Sequence, residues 1–161
     1  MHRFYWLDHG RLAGCSRPGA RPGRRDPDPS DLAADLAALA AEGIGALLTL
    51  TETALPSGDL ERAGLHVRHL PVIDFAAPDP DQFVAALQFI DEQQAAGRAV
   101  AVHCLAGQGR TGSILAAARI RAGATAAEAI AAVRAVCPGA VESEAQAVAL
   151  EAFAFERPWI T

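Results

Sequence analysis

A five-residue apolar run that leads straight into a glycine-bearing loop constrains this chain more than any other feature. The run is Ala99–His103, and the loop is Cys104-Leu-Ala-Gly-Gln-Gly-Arg110. Short apolar runs bounded by turns are typical of central β-strands, which are buried on both faces. The sequence becomes helix-like again over Thr111–Arg121. We therefore expect a strand, a tight loop and a helix in immediate succession near the centre of a sheet.

Helix and strand signals alternate along the rest of the chain. Helix starts are marked by capping residues and proline, and helix ends by glycine, with short apolar runs between them. The predicted strands cover 44–50, 65–72 and 99–103. The predicted helices cover 30–42, a segment that follows the loop 73–80, carries Phe83 and ends near Gly97, 111–121, a segment that opens at Thr125, and 142–155. This order indicates an α/β fold with a mainly parallel central sheet of about four or five strands, flanked by helices.

Composition favours a single domain. With 161 residues, 51% of them hydrophobic, the chain can bury one core but hardly two, so residues 1–161 are assigned to one domain. Charges interrupt the apolar stretches, which argues against a signal peptide or membrane span and predicts a cytoplasmic protein without a membrane partner. The three cysteines lack metal-site spacing and suggest no disulfide framework, so neither a metal nor a cofactor is expected.

Basic charge is concentrated at the start of the chain. Every basic residue is an arginine, and six of the 14 lie in the first 25 residues, where Asp8 is the only acid. The net charge of −5 argues against a nucleic-acid partner. Two interpretations of the basic start remain open: a solvated or partly disordered tail, or a surface that attracts an anionic substrate. Residues 18–29, rich in Pro, Gly and Arg, are predicted to form a flexible loop.

The loop after the central strand has the composition of an anion site. Its glycines allow backbone N–H groups to turn inward, and the helix start that follows adds positive partial charge. The expected phosphoryl cradle is made by Leu105, Ala106, Gly107, Gln108, Gly109 and Arg110. The same field stabilises a thiolate, so Cys104 is expected to be the nucleophile at neutral pH. The planar guanidinium of Arg110 can bind two phosphoryl oxygens at once.

Two neighbours of the loop have predicted supporting roles. His103 is expected to orient the loop by hydrogen bonding, and the hydroxyl of Thr111 to bond the thiolate or assist its departure as a leaving group. The alternative is that Cys104 is an ordinary buried residue and the glycines form an ordinary turn. A His-Cys pair followed by Gly, Arg and Thr at these spacings should arise by chance at roughly one position in a million. We therefore favour the functional interpretation.

The motif His103-Cys104-x5-Arg110-Thr111 resembles the signature of the cysteine-dependent protein tyrosine and dual-specificity phosphatases. Further short matches extend the resemblance to the small atypical, VHZ-like dual-specificity phosphatases over nearly the whole chain: Gly10–Gly14, Leu50–Glu52, Asp74-Phe75 and Pro138–Glu142. The resemblance implies a single catalytic domain that hydrolyses phosphomonoesters through a phosphocysteine intermediate. Phosphotyrosine in proteins is the expected substrate, with phosphoserine and phosphothreonine as further candidates.

Transfer of a phosphoryl group to Cys104 leaves an oxygen that needs a proton, so an acid on a separate loop is required. The resemblance assigns this role to Asp74. Its competitors, Asp79 and Asp81, are better suited to capping the helix that carries Phe83. The resemblance also places Glu142 beside the pocket, where it would position the water for phosphocysteine hydrolysis, while an N-cap role for this residue stays open.

Departures from the family pattern bear on the substrate. Leu105 and Gln108 replace two lysines of lipid-directed relatives, which argues against a phosphoinositide, and Cys137 stands where close relatives have an arginine. Two alternative functions remain: a phosphatase for inositol, nucleotide or sugar phosphates, and a catalytically silent phosphate-binding module. The expected partner is a phosphorylated protein or small phosphomonoester, and the protein is expected to be a monomer.

Overall fold

The computed structural model describes residues 1–24 and 28–160, which form one α/β unit around a five-stranded sheet. The strands are β1 Phe4–Asp8, β2 Leu12–Cys15, β3 Ile44–Thr49, β4 His66–His69 and β5 Ala99–His103. The helices are α1 Pro29–Ala41, α2 Ser57–Arg62, α3 Pro80–Ala95, α4 Gly109–Arg121, α5 Ala126–Val136 and α6 Glu144–Glu156. The predicted fold class, a mainly parallel sheet flanked by helices, is confirmed.

Strand β5 is the centre of the sheet. The strand order is β1-β2-β5-β3-β4, in which β5 runs parallel to both neighbours and only β1 is antiparallel to β2. The register pairs His103 with Cys15 of β2 on one side and with Thr49 of β3 on the other. Three strands therefore end at the same edge, and open α/β sheets bind ligands outside the carboxyl ends of their strands.

The two faces of the sheet have separate apolar clusters, because successive side chains of a strand point to opposite faces. Val100 and Val102 of β5 pack on the face covered by α3, α4, α5 and α6. Ala99 and Ala101 pack on the other face, against the leucines of α1 and α2. All five residues of β5 are buried. Burial on both faces explains why this strand appears in the sequence as an unbroken apolar run.

Capping residues explain where most helices begin. Asp28 accepts a hydrogen bond from the backbone N–H of Ser30, and proline follows it at the first helical position, as predicted. Capping boxes, in which the cap and the third helical residue bond each other's backbone, open α3, α5 and α6 at Asp79, Thr125 and Ser143. The box at Thr125 confirms the sequence prediction.

The tail interpretation of the basic start is wrong, because this segment forms β1 and β2. Tyr5, Leu12 and Cys15 are buried, and Arg17 is only 7% exposed. Arginines hide the strand pattern here, since they alternate with short apolar and aromatic stretches. In the described part of the predicted 18–29 loop, Arg21 forms ion pairs with Asp31 and Asp35. The rest of that prediction falls partly on residues 25–27, outside the described residues.

Several element boundaries differ from the predictions, most clearly at α2, β4, α4 and α6. Helix α2 was not predicted, because six residues carry too little periodicity. Strand β4 covers only His66–His69 of the predicted 65–72. Helix α4 begins at Gly109 and α6 at Glu144, each two residues away from the predicted start at 111 and 142. No helix in residues 1–24 and 28–160 has the length and hydropathy needed to cross a bilayer.

Candidate active site

Cys104 lies at the carboxyl end of the central strand, directly after His103. Its side chain is 2% exposed, and His103 is fully buried. The chain then turns through residues 105–108 and enters α4 at Gly109. The strand thus delivers the cysteine to the edge where three strands end, and the helix start provides free backbone N–H groups next to it.

The loop carbonyls all point away from the site and are held there by hydrogen bonds from other elements. The donors are the Arg17 backbone N–H to Leu105 (3.0 Å), the Arg3 guanidinium to Ala106 (2.6 Å), the Tyr5 hydroxyl to Gly107 (2.8 Å), and the backbone N–H groups of Gly112 (2.9 Å) and Val141 (3.3 Å) to Gln108. In a trans peptide the C=O and the next N–H point in opposite directions. The N–H groups of residues 106–109 therefore face the opposite side, where those of residues 106–108 form an anion nest and that of Gly109 meets the carboxylate of Glu142.

Only glycine fits at position 107. Its φ is 74°, in the left-handed region that other residues avoid. A Cβ at this position would lie 2.5–2.7 Å from the backbone of Cys15 and Ser16. The loop is therefore packed directly against the end of β2. This contact fixes the distance between the anion nest and the edge of the sheet.

His103 is held as a neutral imidazole below the loop. Its Nδ1 lies 3.1 Å from the carbonyl oxygen of Cys104, and its Nε2 lies 2.9 Å from the hydroxyl of Thr49. A carbonyl can only accept, so Nδ1 carries the proton and Nε2 accepts from Thr49. Burial lowers the pKa of His103 to about 3. The geometry agrees with the predicted orienting role, because the imidazole fixes the Cys104 carbonyl.

Thr111 is in the first turn of α4, fully buried. Its hydroxyl oxygen has no hydrogen-bond partner within the described part of the chain. A buried hydroxyl without a partner is costly, which is usually tolerated only where function requires it. The predicted bond between this hydroxyl and the sulfur of Cys104 stays a prediction, and the unsatisfied hydroxyl is the observation that favours it.

Arg110 and Asp74, which are far apart in sequence, are brought into contact. The guanidinium donates through Nη1 to the carbonyl of Val72 at 2.9 Å and through Nη2 to Oδ1 of Asp74 at 2.7 Å. Its Nε is buried and has no hydrogen-bond partner among the described residues. The edge formed by Nε and Nη2 is the part that can grip two oxygens of an anion. A carboxylate oxygen already occupies half of that edge.

Hydrogen bonds to two distant parts of the chain, the loop after β3 and the start of α6, hold the segment that carries Asp74. The backbone N–H of Asp74 donates to Oε1 of Glu52 at 2.9 Å, and the hydroxyl of Ser143 donates to the carbonyl of Phe75 at 3.1 Å. Phe75 has a φ of 60°, which reverses the chain after Asp74. The Asp74 side chain is 44% exposed. The carboxylate is thus presented at the mouth of the site on a fixed backbone.

Asp79 and Asp81, the alternative acids, are used elsewhere. Asp79 is the N-cap of α3, where its carboxylate accepts from the backbone N–H of Gln82 at 2.8 Å. Asp81 is in the first turn of the same helix, a position where an acid interacts favourably with the helix dipole. The structure therefore places Asp79 as the helix cap and Asp81 as a first-turn acid, the two uses that the sequence suggested.

Glu142 lies beside the loop and is not a helix cap. The N-cap of α6 is Ser143, so the alternative N-cap role for Glu142 is wrong. Its carboxylate accepts from the backbone N–H of Gly109, and a Cβ at Gly109 would overlap with it. The pKa of Glu142 is raised mainly by burial and, to a smaller extent, by the nearby carboxylate of Asp74. The positive charge of Arg110 lowers it in part.

The loop before Glu142 is strained and firmly held. Val141 has a φ of 55°, which is an outlier for a β-branched residue. Arg134 of α5 donates to the carbonyls of Ala140 and Val141 at 3.0 and 2.9 Å. Non-glycine residues in this region persist only where their surroundings hold them, and they cluster at functional sites. The Glu142 carboxylate is thus placed by packing and hydrogen bonds.

Sequence reasoning missed the residues that support the site: Arg3, Tyr5, Arg17, Glu52 and Arg134. The signal for the first three was the pair of short aromatic and apolar runs that form β1 and β2. Cys137, where a basic contact was expected to be absent, is buried at the end of α5 with its sulfur 3.9 Å from the carbonyl of Gly107. No group of His, Cys, Asp and Glu suited to a metal ion occurs among residues 1–24 and 28–160.

Comparison with known proteins decides the family. Residues 22–124, more than half of the chain, match the family model Tc-R-P, described as "Polymorphic toxin system, DSP-PTPase phosphatase". The chain belongs to this family. The predicted relationship to the cysteine-dependent dual-specificity phosphatases is thereby confirmed, and the DSP-PTPase match includes the loop and the acid-bearing segment.

Solved structures agree with this DSP-PTPase assignment. The active form of Tk-PTP is 28% identical, with a TM-score of 0.80 over 93% of this chain and 95% of that chain. PTPMT1 in complex with PI(5)P is 21% identical, with a TM-score of 0.77 over 95% of each chain. Human DUSP28 is 18% identical, with a TM-score of 0.69 over 96% of this chain and 94% of that chain. The last two similarities support the fold alone.

Proposed function

We propose that this member of the DSP-PTPase family hydrolyses phosphomonoesters, above all phosphotyrosine in proteins, through a phosphocysteine intermediate on Cys104. The observation that carries the proposal is the loop of residues 105–108, whose carbonyls are all held outward around the cysteine. A nest of N–H groups next to a thiol suits both binding a phosphoryl group and stabilising the charge that develops during its transfer.

Binding begins with an exchange at Arg110. The phosphoryl oxygens take the N–H groups of the loop and the Nε and Nη2 edge of the guanidinium. Because Oδ1 of Asp74 now accepts from Nη2 at 2.7 Å, an incoming phosphoryl oxygen replaces it there. The released carboxyl group stays next to the bound phosphate, since its backbone is fixed by Glu52. Substrate binding thereby frees Asp74 to face the leaving oxygen.

The reaction then has two displacement steps. Once released from Arg110, the Asp74 carboxylate takes up a proton from solvent. The Cys104 thiolate attacks phosphorus, the S–P bond forms as the ester P–O bond breaks, and Asp74 gives this proton to the leaving oxygen. A water positioned by Glu142 next attacks the phosphocysteine and gives a proton back to Asp74. The S–P electron pair returns to sulfur, where the hydroxyl of Thr111 stabilises the thiolate. Inorganic phosphate leaves, and Asp74 releases its proton to solvent as it pairs with Arg110 again, so each group regains its starting protonation state.

The surroundings of the loop favour an aromatic leaving group on a protein. Ile73 and Phe75, on either side of Asp74, are 71% and 63% exposed, and Leu105 is 37% exposed. Exposed apolar groups around a polar pocket mark a binding surface. Leu105 and Gln108 add no positive charge to the loop, whereas a polyphosphorylated inositol would require further cations. The neighbour PTPMT1 binds PI(5)P, so a small phosphomonoester is the alternative to be tested.

A substrate panel on the purified protein tests the proposal. Phosphotyrosine peptides, phosphoserine and phosphothreonine peptides, inositol phosphates, nucleotides and sugar phosphates are compared by kcat/KM in the presence of a metal chelator. We expect the highest kcat/KM with phosphotyrosine peptides, inhibition by orthovanadate, and no activity in Cys104→Ser. A metabolite phosphate at the top of the ranking would contradict the substrate class, and an active Cys104→Ser would contradict the mechanism.

A further inference from the structure

Strand β1 contributes the chain's only tyrosine to the underside of the active-site loop. We propose that Tyr5 is a positioning residue, which holds the peptide between Gly107 and Gln108 with its N–H turned toward the phosphoryl group. Tyr5 touches no reacting atom in this scheme and acts through the loop. The inference rests on the proposed function, because it assumes that the loop binds a phosphoryl group.

The contact is short, buried and directional. The Tyr5 hydroxyl lies 2.8 Å from the carbonyl oxygen of Gly107, and the side chain is almost fully buried. The carbonyl can only accept, so the phenol donates. The pKa of Tyr5 is raised mainly by burial and, to a smaller extent, by the neighbouring thiols of Cys137, Cys104 and Cys15. The hydroxyl therefore keeps its proton and remains a donor across the range in which the enzyme would work.

The neighbouring strand provides the space for the tyrosine ring. In the β1–β2 register Tyr5 is opposite Gly14, and a Cβ at Gly14 would overlap with the Cζ of the ring. The ring therefore passes over Gly14 of β2, and its hydroxyl reaches the carbonyl of Gly107. The same strand ends at Cys15, whose backbone supports Gly107. Tyr5 and β2 together hold this glycine from below.

Gly107 is the point in the loop that most needs such a constraint. Glycine populates positive and negative φ about equally, so the peptide that follows Gly107 can rotate more readily than one that follows a residue with a side chain. Rotation would turn the carbonyl oxygen into the nest and remove one N–H from it, replacing a donor by an acceptor against an anion. The hydrogen bond from Tyr5 favours the orientation that leaves the N–H inward.

The test is the variant Tyr5→Phe, which keeps the ring above Gly14 and removes only the donor. We expect kcat/KM to fall on the order of tenfold, the effect of losing one buried hydrogen bond. The loss should be equal for phenyl phosphate and for an aryl phosphate with a much more acidic phenol, because the cradle binds both phosphoryl groups alike. Affinity for inorganic phosphate, measured by titration calorimetry, should fall by a similar factor.

Two further variants separate positioning from general stability. Trp6→Phe is the matched control, since Trp6 is on the same strand but packs against Phe4 and His9 on the opposite face. It should leave kcat/KM and phosphate affinity unchanged even if Tm falls. Replacement of Tyr5 by 4-aminophenylalanine restores a donor and should recover most of both quantities.

The outcomes distinguish this inference from the proposed function. Unchanged phosphate affinity in Tyr5→Phe, or no recovery with 4-aminophenylalanine, would overturn the role of Tyr5 while an inactive Cys104→Ser left the proposed function intact. An active Cys104→Ser would overturn the proposed function, and the phosphate affinity of Tyr5→Phe would still report on the loop. Failure of Tyr5→Phe to fold leaves the 4-aminophenylalanine variant as the deciding measurement.

Discussion

Asp74 has two partners in the proposed reaction, first Arg110 and then the leaving oxygen. In the structure its carboxylate accepts from Nη2 of Arg110, which is 3% exposed, while Asp74 itself is 44% exposed. A phosphoryl group carries more charge than a carboxylate and offers two oxygens to the guanidinium fork, so it wins the competition. The residue that fills the clamp before substrate arrives is therefore well placed to become the proton donor.

Substitution of Asp74 by asparagine should affect substrates according to how much their leaving group needs a proton. With phosphotyrosine, whose phenol has a pKa of about 10, kcat should fall by about a hundred- to ten-thousandfold. An aryl phosphate with a far more acidic phenol should lose much less. The measurement is the ratio of variant to parent kcat over a graded series of aryl phosphates.

Asp79→Asn and Asp81→Asn are the controls for this series, because both residues are used at the start of α3. They should give ratios near unity for every leaving group. A ratio for Asp74→Asn that does not vary along the series, or one that varies steeply for either control, would mean that the acid is another residue.

His103 should make stability depend on pH in a defined window. Its pKa is about 3 in the folded protein because of burial, compared with about 6.5 in the unfolded chain. Between these values the unfolded state binds the extra proton, so stability is lost as pH falls from about 6.5 toward 3, by up to about 1.4 kcal/mol per pH unit. In His103→Asn this contribution is absent. Urea unfolding at several pH values should show a shallower slope, and an unchanged slope would contradict a buried neutral imidazole.

At the scale of elements, the active-site loop depends on a strand and a helix that meet at it. Strand β5 ends at His103 and α4 begins at Gly109, which leaves five residues to reverse direction and turn their N–H groups inward. Segments from both ends of the chain hold the carbonyls in place, with Arg3, Tyr5 and Arg17 on one side and Val141 on the other. The loop is therefore a product of tertiary contacts as much as of its own glycines.

Gly107→Ala tests this dependence on packing. The added Cβ would meet the backbone of Cys15 and Ser16 at 2.5–2.7 Å, and φ is 74°. Because backbone atoms cannot move aside as a flexible side chain does, the loop should shift away from β2. Its N–H groups would then no longer converge on one anion. We expect kcat/KM to fall on the order of a hundredfold or more, the scale of losing a preorganised donor, with weaker binding of inorganic phosphate.

Gly10→Ala is the matched control for that variant. Gly10, in the turn between β1 and β2, has the same φ of 74° but no atom within 4 Å of an added Cβ. It should cost about 1 kcal/mol of stability and leave kcat/KM and phosphate affinity unchanged. Equal kinetic losses in both variants would show that backbone strain alone, rather than contact with β2, explains the effect.

Local signals account for what the sequence predicted. The apolar run of β5, the capping box at Thr125 and the proline start of α1 each act over a few residues, so they are visible without the fold. The missed strands β1 and β2 are short and flanked by arginines, and α2 is too short for a period to show. Helix α4 starts at Gly109 because tertiary contacts to Glu142 and Val141 support a first turn that glycines alone would not favour.

In the candidate site, too, the contiguous motif could be predicted from the sequence and the long-range contacts could not. The motif around Cys104 is contiguous and was predicted as a unit, and the structure adds the contact between Arg110 and Asp74 across 36 positions. The supporting contacts of Arg3 and Tyr5 span more than 100 positions and have no local signature. Hydrogen bonds to a carbonyl are open to many residue types, so the sequence alone does not indicate which side chain makes them.

At the scale of the whole molecule, the sheet gathers segments that are remote in sequence at one edge. Cys15, Thr49 and His103 share a register there, and the acid-bearing segment and the Glu142 loop close over the same edge. The family match over residues 22–124 ends within the turn after α4, so α5, α6 and Glu142 lie beyond it. The second half of the proposed reaction thus relies on the part of the chain outside the family match.

The central claim is that the phosphoryl group passes through the sulfur of Cys104. Rapid mixing with an aryl phosphate, denaturing quench and mass mapping of peptides measures this directly. We expect a phosphoryl adduct on the peptide that contains Cys104, formed as fast as phenol is released, and more abundant at steady state in Glu142→Gln because water attack is slowed. Absence of the adduct at Cys104, together with continued phosphate release by Cys104→Ser, would contradict the account.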